Sequence, residues 1–376
     1  DPNADGIYKP IIDHAANGVD LVQIAQVNDN GVSRNLYSDF NIKSSGLILN
    51  NATEYTKTQL GGYIDRNMFL AGNGARVILN EVTSSRASVL NGYLEVAGHK
   101  ASVVIANANG ISVNGLGFIN TDNVTLASGA VTNWADGNMR FADNKNDIYI
   151  AGDGLNGQNP NKLSLIGNNI TNNASEVYAN ELYISADGLL SNTGKIAATQ
   201  NAVIEAGNIE NTEEGYIEAA KDLTADVEGQ LHQNKATIKA GEDVNITSGS
   251  INNEEESLIS AAGDMTIAAD TEFINNASSI ISVSNMELTA ADLTNEDKAL
   301  INTENLTLNG TNTLTSDNAN IYATGTSTVN AGTFTNKNET TFHTGTDSSI
   351  TADTMVNINS AMDVQGNLTA DIGSFT

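Results

Sequence analysis

The chain of 376 residues has no cysteine, three prolines, one tryptophan and only 5% aromatic residues. Without cysteine no disulfide can cross-link the fold, so stability must come from burial and backbone hydrogen bonds. No proline follows Pro160, which suits long hydrogen-bonded ladders because proline cannot donate to one. A conventional globular core carries more aromatic side chains. The abundance of Asn, Thr, Ser and Gly is instead typical of short stacked strands joined by turns.

Positive charge is scarce as well. The chain has 17 Lys and Arg residues against 45 Asp and Glu residues, a formal net charge of −28. Such a surface repels phosphate groups, so we expect no nucleic-acid partner and no binding to anionic lipid. No apolar run is long enough to span a bilayer, so we also expect no direct membrane insertion. A basic and apolar leader is absent, and we interpret Asp1 as a mature start after signal-peptide removal.

An internal repeat fills the second half of the chain. Apolar anchors recur at intervals of 19 to 22 residues, at Ile170, Leu190, Ile209, Leu231, Ile251, Phe273, Leu293, Leu314 and Phe334. Two positions after the anchor, seven of these nine units carry asparagine, namely Asn172, Asn192, Asn211, Asn253, Asn275, Asn295 and Asn336. An alternating apolar pair such as Val244 and Ile246 precedes most anchors. Alternation with period two predicts strands.

Such short strands are unstable alone, so each unit must stack on its neighbours to bury its apolar face. We therefore predict an all-β fold, a right-handed parallel β-helix with one coil per repeat. Asparagine at a constant place in each coil tolerates left-handed backbone geometry and can form side-chain ladders between coils. A leucine-rich repeat has a similar period, but its residue spacing and its helical segments are absent here, as are the nonapeptides of calcium-binding β-helices.

The first 165 residues are less periodic and contain the successive phrases GLILNN, ILNEVTSS, LNGYLEVAG and ANANGISVNGLGFINT. In this order they resemble the secretion domain of the filamentous-haemagglutinin family, the large exoproteins of bacterial two-partner secretion. The likeness covers roughly residues 10–190. It implies a two-partner secretion (haemagglutination activity) domain at 1–165 with β-elements outside the helix. At 166–376 it implies β-helical repeats that begin a longer shaft.

The resemblance also implies partners and a location. An outer-membrane two-partner-secretion transporter recognises the secretion domain and exports the chain across the outer membrane of a Gram-negative-type bacterium. The protein then resides at the cell surface or outside the cell. Its further partner is a receptor on a host cell or on a neighbouring bacterium. No cofactor is implied.

The family's hallmark is Asn-Pro-Asn-Gly-Ile, and the corresponding stretch here is Asn107-Ala108-Asn109-Gly110-Ile111, followed closely by Asn114-Gly115. By resemblance, these seven residues are the candidate transporter-recognition motif. Asn-Gly pairs also form tight turns, so a plain β-helix turn is the alternative interpretation. Many toxin-delivering relatives carry cysteine at the places of Val113 and Leu116, and this chain does not.

Candidate catalytic and metal-binding residues are few. The histidines lie far apart in sequence, at His14, His99, His232 and His343, and no two share a metal-ligand spacing. The opening Asp-Pro-Asn-Ala-Asp-Gly is similar to the start of a calcium loop, but its twelfth position is Ile12 rather than Glu, so we interpret it as a flexible tail. The run Glu254-Glu255-Glu256 is interpreted as an exposed loop. We expect no catalytic residue and no metal site.

Three functions remain in competition. The first is the secretory and shaft segment of a surface exoprotein that serves adhesion or haemagglutination. The second is the stalk of a contact-dependent growth inhibition protein, which requires a C-terminal toxin beyond this segment. The third, from another class, is a polysaccharide-active β-helix enzyme, and it rests on the fold alone. Such enzymes usually cluster carboxylates, basic residues or aromatics in one groove, so with Trp134 as the single tryptophan we expect no enzyme.

Overall fold

The computed structural model describes residues 1–70, 72–143 and 145–376. Within these residues a 3-10 turn at Gly6–Tyr8 is the only helical element, and every other regular element is a β-strand. Their helical content therefore offers no span that is long and apolar enough to cross a bilayer. The chain divides into two compact units, Asp1–Leu189 and Leu190–Thr376.

The strands are numbered in chain order. The first unit contains β1 Ile11–His14, β2 Asp20–Gln23, β3 Val32–Tyr37, β4 Leu47–Asn51, β5 Thr56–Thr58, β6 Gly62–Ile64, β7 Val77–Val82, β8 Ser88–Leu90, β9 Tyr93–Gly98, β10 Ala101–Asn107, β11 Ile111–Val113, β12 Leu116–Ile119, β13 Thr121–Ala127, β14 Val131–Asn133, β15 Arg140–Phe141, β16 Ile148–Ile150, β17 Leu155–Gly167, β18 Ile170–Asn172 and most of β19 Glu176–Asn192. The second unit contains β20 Lys195–Ala198, β21 Ala202–Thr212, β22 Tyr216–Ala219, β23 Leu223–Asn234, β24 Thr237–Ala240, β25 Val244–Glu254, β26 Leu258–Ala261, β27 Met265–Asn276, β28 Ser279–Ser282, β29 Asn285–Glu296, β30 Leu300–Thr303, β31 Asn305–Asp317, β32 Asn320–Ala323, β33 Ser327–Lys337, β34 Thr341–Thr344, β35 Ser348–Ile358, β36 Ala361–Val364 and β37 Leu368–Phe375.

Three parallel sheets form the wall of the first unit. One contains β2, β4, β9, β12 and the start of β17 in that order. The second contains β3, β7, β10, β13 and the end of β17. The third contains β8, β11, β16 and β18. Successive coils thus add one strand to each sheet, which confirms the predicted parallel β-helix.

The predicted β-elements outside the helix are also present. Strand β1 pairs antiparallel with β2, and two antiparallel pairs, β5–β6 and β14–β15, stand apart from the coils. Trp134 and Phe141, which belong to the β14–β15 hairpin, pack on a buried cluster that includes Leu79, Val104 and Ala106. This hairpin therefore covers one wall of the first unit.

The opening residues are docked, so the interpretation as a flexible tail is wrong. The Asp1 ammonium donates to the carbonyl oxygen of Leu36 at 2.8 Å, and the hydroxyl of Thr83 donates to an Asp1 carboxylate oxygen at 2.8 Å. Asp5 caps the 3-10 turn by accepting from the N–H of Ile7. Composition alone missed these bonds because their partners lie on β3 and just after β7.

Each coil of the second unit combines a long strand with a strand of four residues. The long strands are the odd-numbered ones from β21 to β37, and each pairs in parallel with the long strands of the adjacent coils. The short strands are the even-numbered ones from β20 to β36, and they pair in the same way. Most of the long ladders contain a register shift near their middle, for example between Ala206 and Ile209. One long strand therefore supplies two walls of the coil and the short strand supplies the third.

The predicted apolar anchors stack in one column inside the second unit. Paired residues on successive long strands are Ile209, Leu231, Ile251, Phe273, Leu293, Leu314 and Phe334. None of these side chains is more than 2% exposed. Complete burial of such a side chain stabilises the fold by roughly 1.5–3 kcal/mol. Each coil thus depends on the coil beneath it for part of its core.

The side chains two positions after the anchors form a buried amide ladder. It runs through Asn192, Asn211, Gln233, Asn253, Asn275 and Asn295. In each of the five successive pairs the amide nitrogen donates to the amide oxygen of the next coil at 2.8–3.0 Å, and none of the six residues is more than 1% exposed. The predicted ladder is confirmed. Gln233 belongs to it although the asparagine pattern passes over that coil.

Ser316 interrupts this ladder. Its hydroxyl occupies the place of an amide, and both Ser316 Oγ and Asn336 Oδ1 are buried without a hydrogen-bond partner. Asn336 restarts the pattern by donating to Asn357 Oδ1 at 2.9 Å. The serine is too short to reach either neighbouring amide, so one coil of the ladder is left unsatisfied.

Repairing the gap is expected to stabilise the protein. Ser316→Asn should raise the free energy of unfolding of the second unit by about 1 kcal/mol, because the new amide pairs with Asn336 Oδ1 and with Asn295. Urea unfolding followed by far-UV circular dichroism measures the change. Ser316→Ala is the matched control, since it removes one unpaired hydroxyl and leaves Asn336 Oδ1 without a donor. If the Ser316→Asn protein is no more stable than the wild type, this account of the gap is contradicted.

The turns after the ladder alternate between two forms. Pairs of consecutive residues with positive φ occur at Glu213–Glu214, Glu255–Glu256, Asp297–Lys298 and Asn338–Glu339, while single residues with positive φ occur at Lys235, Ala277, Asn318 and Asn359. The true repeat is therefore two coils, which the 20-residue period did not reveal. Left-handed backbone costs roughly 1–2 kcal/mol per residue. The N–H of Glu256 offsets part of this cost by bonding to the carbonyl oxygen of Ala277 in the next coil at 2.9 Å.

Candidate secretion site

The stretch 107–111 forms a corner of the first unit. Asn107 is the last residue of β10 and Ile111 is the first residue of β11, so the three residues between them carry the chain from one sheet to another. Gly110 has a φ of +105° and its N–H bonds to the carbonyl oxygen of Asn107 at 3.2 Å. The turn interpretation of the Asn-Gly pair is confirmed.

Asn107 ties this corner to the preceding coil. Its side chain is 1% exposed, and its amide nitrogen donates to the carbonyl oxygen of Arg86 and to the hydroxyl of Ser88, both at 2.9 Å. Its amide oxygen accepts from the backbone N–H of Asn109 at 2.9 Å and from the Asn109 amide at 3.0 Å. The Asn109 amide also donates to the carbonyl oxygen of Ser84 at 2.7 Å. Both asparagines therefore hold backbone in place.

The following coil closes over the same corner. The Asn146 amide donates to the carbonyl oxygen of Ala108 at 2.9 Å, and the N–H of Ile111 donates to the carbonyl oxygen of Asp147 at 3.1 Å. A Cβ atom on Gly110 would lie 3.4 Å from that Asp147 oxygen. Glycine is needed here because of its positive φ more than because of space.

Asn114 and Gly115 form a second corner, between β11 and β12. Gly115 has a φ of +81° and its N–H bonds to the carbonyl oxygen of Gly154 at 2.8 Å. The Asn114 amide oxygen accepts from the N–H of Asp153 at 2.9 Å. Strand β11 separates the two corners, so the structure places the seven motif residues at two consecutive bends rather than in one pocket.

Exposure differs sharply within the motif. Asn107, Gly110 and Ile111 are buried, Ala108, Asn109 and Gly115 are partly buried, and Asn114 is exposed. An open groove of about 340 Å³ lies beside the second corner. Its lining includes Gly115, Tyr93, Asp153, Glu176 and Tyr178. Burial raises the pKa of Tyr178, and the neighbouring Glu176 carboxylate raises it further. The sequence provided no signal for this groove, because its residues come from four separate strands and loops.

The difference in burial gives a prediction within the motif. Asn107→Ala is expected to lower the free energy of unfolding of the first unit by about 3 kcal/mol, because it leaves the buried Ser88 hydroxyl and two partly buried backbone groups without their partner. Asn114→Ala, the matched control, should cost less than about 1 kcal/mol at its exposed position. Urea unfolding followed by the fluorescence of Trp134 reports on this unit. Similar losses for the two variants contradict the assignment of Asn107 as a structural residue.

Other polar side chains of interest remain dispersed. His14 lies 3.2 Å from an Asp20 carboxylate oxygen and His343 lies 2.9 Å from an Asp363 carboxylate oxygen. Glu255 and Glu256 form one of the paired turns and are exposed, as predicted, whereas Glu254 is the partly buried last residue of β25. In residues 1–70, 72–143 and 145–376 no group of three or more His, Cys, Asp or Glu side chains is arranged to hold a metal ion. The expectation of no catalytic, metal or cofactor site stays a prediction.

Two curated relatives illustrate the similarity to known proteins. The tRNA nuclease CdiA of Yersinia mollaretii is 46% identical over 177 residues, which are 46% of this chain and 6% of that protein. The 16S rRNA endonuclease CdiA of Enterobacter cloacae subsp. cloacae is 45% identical over 189 residues, 48% of this chain and 6% of that protein. The chain thus spans about 6% of the length of the curated relatives it matches.

Two solved structures are similar as well. The filamentous hemagglutinin secretion domain gives a TM-score of 0.45 at 22% identity, covering 73% of this chain and 93% of that chain. The HMW1 secretion domain from Haemophilus influenzae gives a TM-score of 0.42 at 13% identity, covering 96% of this chain and 97% of that chain.

The family described as "TPS secretion domain" matches residues 2–267. The match extends past the predicted domain boundary at 165/166, which stays a prediction. Exoproteins of this family cross the outer membrane with the help of a dedicated outer-membrane transporter and reach the cell surface or the medium. The chain belongs to the TPS secretion domain family of two-partner-secretion exoproteins.

Proposed function

We propose that this chain is the secretion and early shaft segment of a contact-dependent growth inhibition protein. The observation that supports this role over adhesion, the first choice from the sequence, is the identity of 45–46% to proteins named CdiA, described as nucleases. Those names describe proteins of which this segment matches about 6%. The proposal therefore assigns delivery to this segment and assigns the toxic activity to a region beyond it.

Competition between bacteria tests this role. A producing strain with a deletion inside residues 1–376 is expected to lose its competitive advantage over a susceptible neighbour in contact with it. In the control strain the deletion removes only the sequence downstream of the shaft. That strain should no longer kill its neighbour but should still secrete the segment. Loss of attachment to host cells or loss of haemagglutination, with unchanged competition, would assign the protein to adhesion instead.

We infer further that the transporter reads residues 107–111 before the β-helix forms. In the folded unit Asn107 is 1% exposed and Ile111 is 2% exposed, so neither side chain is available to a partner. The same residues are accessible in an extended chain. On this account the motif acts twice: it is recognised in the periplasm and it becomes a structural corner after export.

Separate measurements of binding and of export test this dual role. An unfolded peptide of residues 98–121 is expected to bind the purified transporter's periplasmic region, and the same peptide with Asn107→Ala and Asn109→Ala should bind at least about tenfold more weakly. Asn120→Ala, in the same peptide but outside the motif, serves as the control. If the altered peptide binds equally well while the altered protein still fails to be secreted, the motif acts only in folding.

The remaining partners and the absence of catalysis belong to the same proposal. A receptor on a neighbouring bacterium or a host cell binds the exported protein, and this segment carries no enzymatic activity of its own. The widely spaced histidines and the two-corner arrangement of the motif support a structural role. Incubation of the purified segment with a panel of polysaccharides checks this point, because release of shorter chains would revive the polysaccharide-active alternative.

A further inference from the structure

An open groove of about 580 Å³ lies in the first unit, and none of its lining residues belongs to the secretion motif. One side of it is lined by Ile11 and Asp13 of β1 together with the paired residues Gln23 and Leu21 of β2. The other side is lined by the β5–β6 hairpin and the segment 65–69. This volume lies within the range of pockets that hold small ligands.

Two stacked tyrosines dominate one wall of the groove. The rings of Tyr55 and Tyr63 have centroids 5.2 Å apart and planes within 5° of parallel, yet the residues are 66% and 59% exposed. Met68 and Ile11, on the same groove, are 76% and 51% exposed. Stacking covers one face of each ring and leaves the rest in solvent. Exposed aromatic and apolar side chains gathered on one groove are typical of a binding site.

The aromatic wall is held rigidly. Glu95, which is 4% exposed, accepts hydrogen bonds from the N–H groups of Gln59 and Leu60 at 2.7 and 2.8 Å, and these residues form the tip of the hairpin. The Thr58 hydroxyl donates to the carbonyl oxygen of Gly62 at 2.8 Å across the same tip. A binding surface that is already ordered loses little entropy when a ligand arrives.

Polar groups line the groove beside the rings. Asp13, Asp65 and Arg66 are exposed around it. Within the part of the chain that the structure describes, Asp65 and Arg66 form no ion pair, so their side chains are available to a ligand. A purely apolar occupant would cover these charged groups without bonding to them, which is costly. The groove therefore suits a ligand with one apolar face and several hydroxyl groups.

We propose that this groove binds a neutral oligosaccharide. A pyranose ring packs its C–H face on Tyr63 or Tyr55, while its hydroxyls bond to Asp13, Asp65 and Arg66. Two carboxylates against one guanidinium, on a chain of net charge −28, disfavour uronic acids, sulfated sugars and nucleotides. The site concerns attachment to glycan-coated surfaces and stands apart from both export and toxin delivery.

Calorimetric titration of the purified 376-residue chain tests this site. The probes are maltohexaose, cellohexaose, chitohexaose and mannohexaose, with a heparin hexasaccharide as the acidic probe and an extended heptapeptide as the polypeptide probe. At least one neutral sugar is expected to bind, and the acidic probe is not. Absence of binding by every neutral sugar at millimolar concentration overturns the proposal, as does preferential binding of the heparin probe or of the peptide.

Variants locate the binding. Tyr63→Ala is expected to raise the Kd of the bound sugar by about tenfold, Tyr63→Phe to keep most of the affinity, and Asp65→Asn to weaken binding while leaving the rings in place. Tyr149→Ala, at another exposed tyrosine that lies outside the groove, is the control. Far-UV circular dichroism and Trp134 fluorescence check folding. If the Tyr63→Ala and Asp65→Asn proteins fold and bind the sugar with unchanged affinity, the assignment of the sugar site to this groove is overturned. That result would leave the proposed role in secretion untouched.

Discussion

Replacing Asn275 with alanine is expected to lower the free energy of unfolding of the second unit by about 3 kcal/mol. Asn275 lies in the middle of the amide ladder, where it accepts from Asn253 and donates to Asn295, both at 2.8 Å. It is 1% exposed, so water cannot replace either bond. Truncation orphans one donor and one acceptor, and each such group costs roughly 1–3 kcal/mol.

The control for this prediction lies on the outer face of the same unit. Asn330 is exposed and donates to the amide oxygen of Asn309 at 2.9 Å, so its bond resembles a rung of the ladder in everything except burial. Asn330→Ala should change the free energy of unfolding by no more than about 0.5 kcal/mol. Urea unfolding followed by circular dichroism compares the two. Equal losses would mean that burial of the ladder is not what stabilises the coils.

The second large effect is expected at Arg34. Its guanidinium donates to a Glu81 carboxylate oxygen at 2.9 and 2.7 Å, and it lies 4.9 Å from the ring centre of Trp134 and 5.5 Å from that of Tyr8. The Glu81 side chain is 12% exposed. Arg34→Ala should destabilise the first unit by about 3 kcal/mol, because it leaves a mostly buried carboxylate without its partner. Trp134 emission should shift to longer wavelength in the folded variant.

One further variant separates charge from geometry at this position, and a second variant at an exposed arginine serves as the control. Arg34→Lys keeps the charge but loses the planar fork, so it should recover less than half of the lost stability. Arg86→Ala removes a different ion pair, the one with Asp39, in which the arginine side chain is 71% exposed. Exposed pairs contribute about 0–1 kcal/mol. Urea unfolding followed by Trp134 fluorescence measures all three, and a loss at Arg34 no larger than the loss at Arg86 contradicts the prediction.

The Arg34 cluster joins parts of the chain that are distant in sequence. Tyr8, from the 3-10 turn, and Trp134, from the β14–β15 hairpin, meet edge to face with centroids 5.6 Å apart. The Asn28 and Asn30 amides both donate to the carbonyl oxygen of Ala135 at 2.9 Å. A chain that emerges from its N-terminus completes this cluster only after the hairpin has emerged. The first coils of the chain therefore gain the contacts of this cluster only after the later β14–β15 hairpin is present.

Periodicity explains why the second unit was predictable. An anchor such as Ile251 and a ladder residue such as Asn253 recur because every coil faces the same environment, so the pattern is visible without knowledge of the neighbours. Gln233 fits the ladder because an amide, not asparagine specifically, forms the bond. Ser316 interrupts the ladder, and because the chain contains many serines, the sequence alone does not predict that this one leaves a gap. Only the position of the adjacent coils shows that Asn336 Oδ1 is unpaired.

The first unit was predictable in outline only. Phrases shared with a known family indicated a secretion domain, and Gly110 and Gly115 indicated turns because both need positive φ. The direction of the asparagine side chains was not readable, since Asn107 and Asn114 have the same chemistry and differ in burial alone. The Tyr55–Tyr63 groove was not readable either, because its two sides come from hairpins separated by more than thirty residues.

Local alternation and a regular period, properties of neighbouring residues, determined that this chain is an all-β parallel helix of stacked coils with an amide column inside. Which polar side chains are buried depends on contacts between coils about twenty residues apart and between hairpins much further apart. These contacts decided the two-coil alternation of the turns, the gap at Ser316 and the position of the Arg34 guanidinium against Trp134. Burial multiplies the free-energy cost of an unpaired polar group, so the energetically important residues emerge only when the coils are stacked.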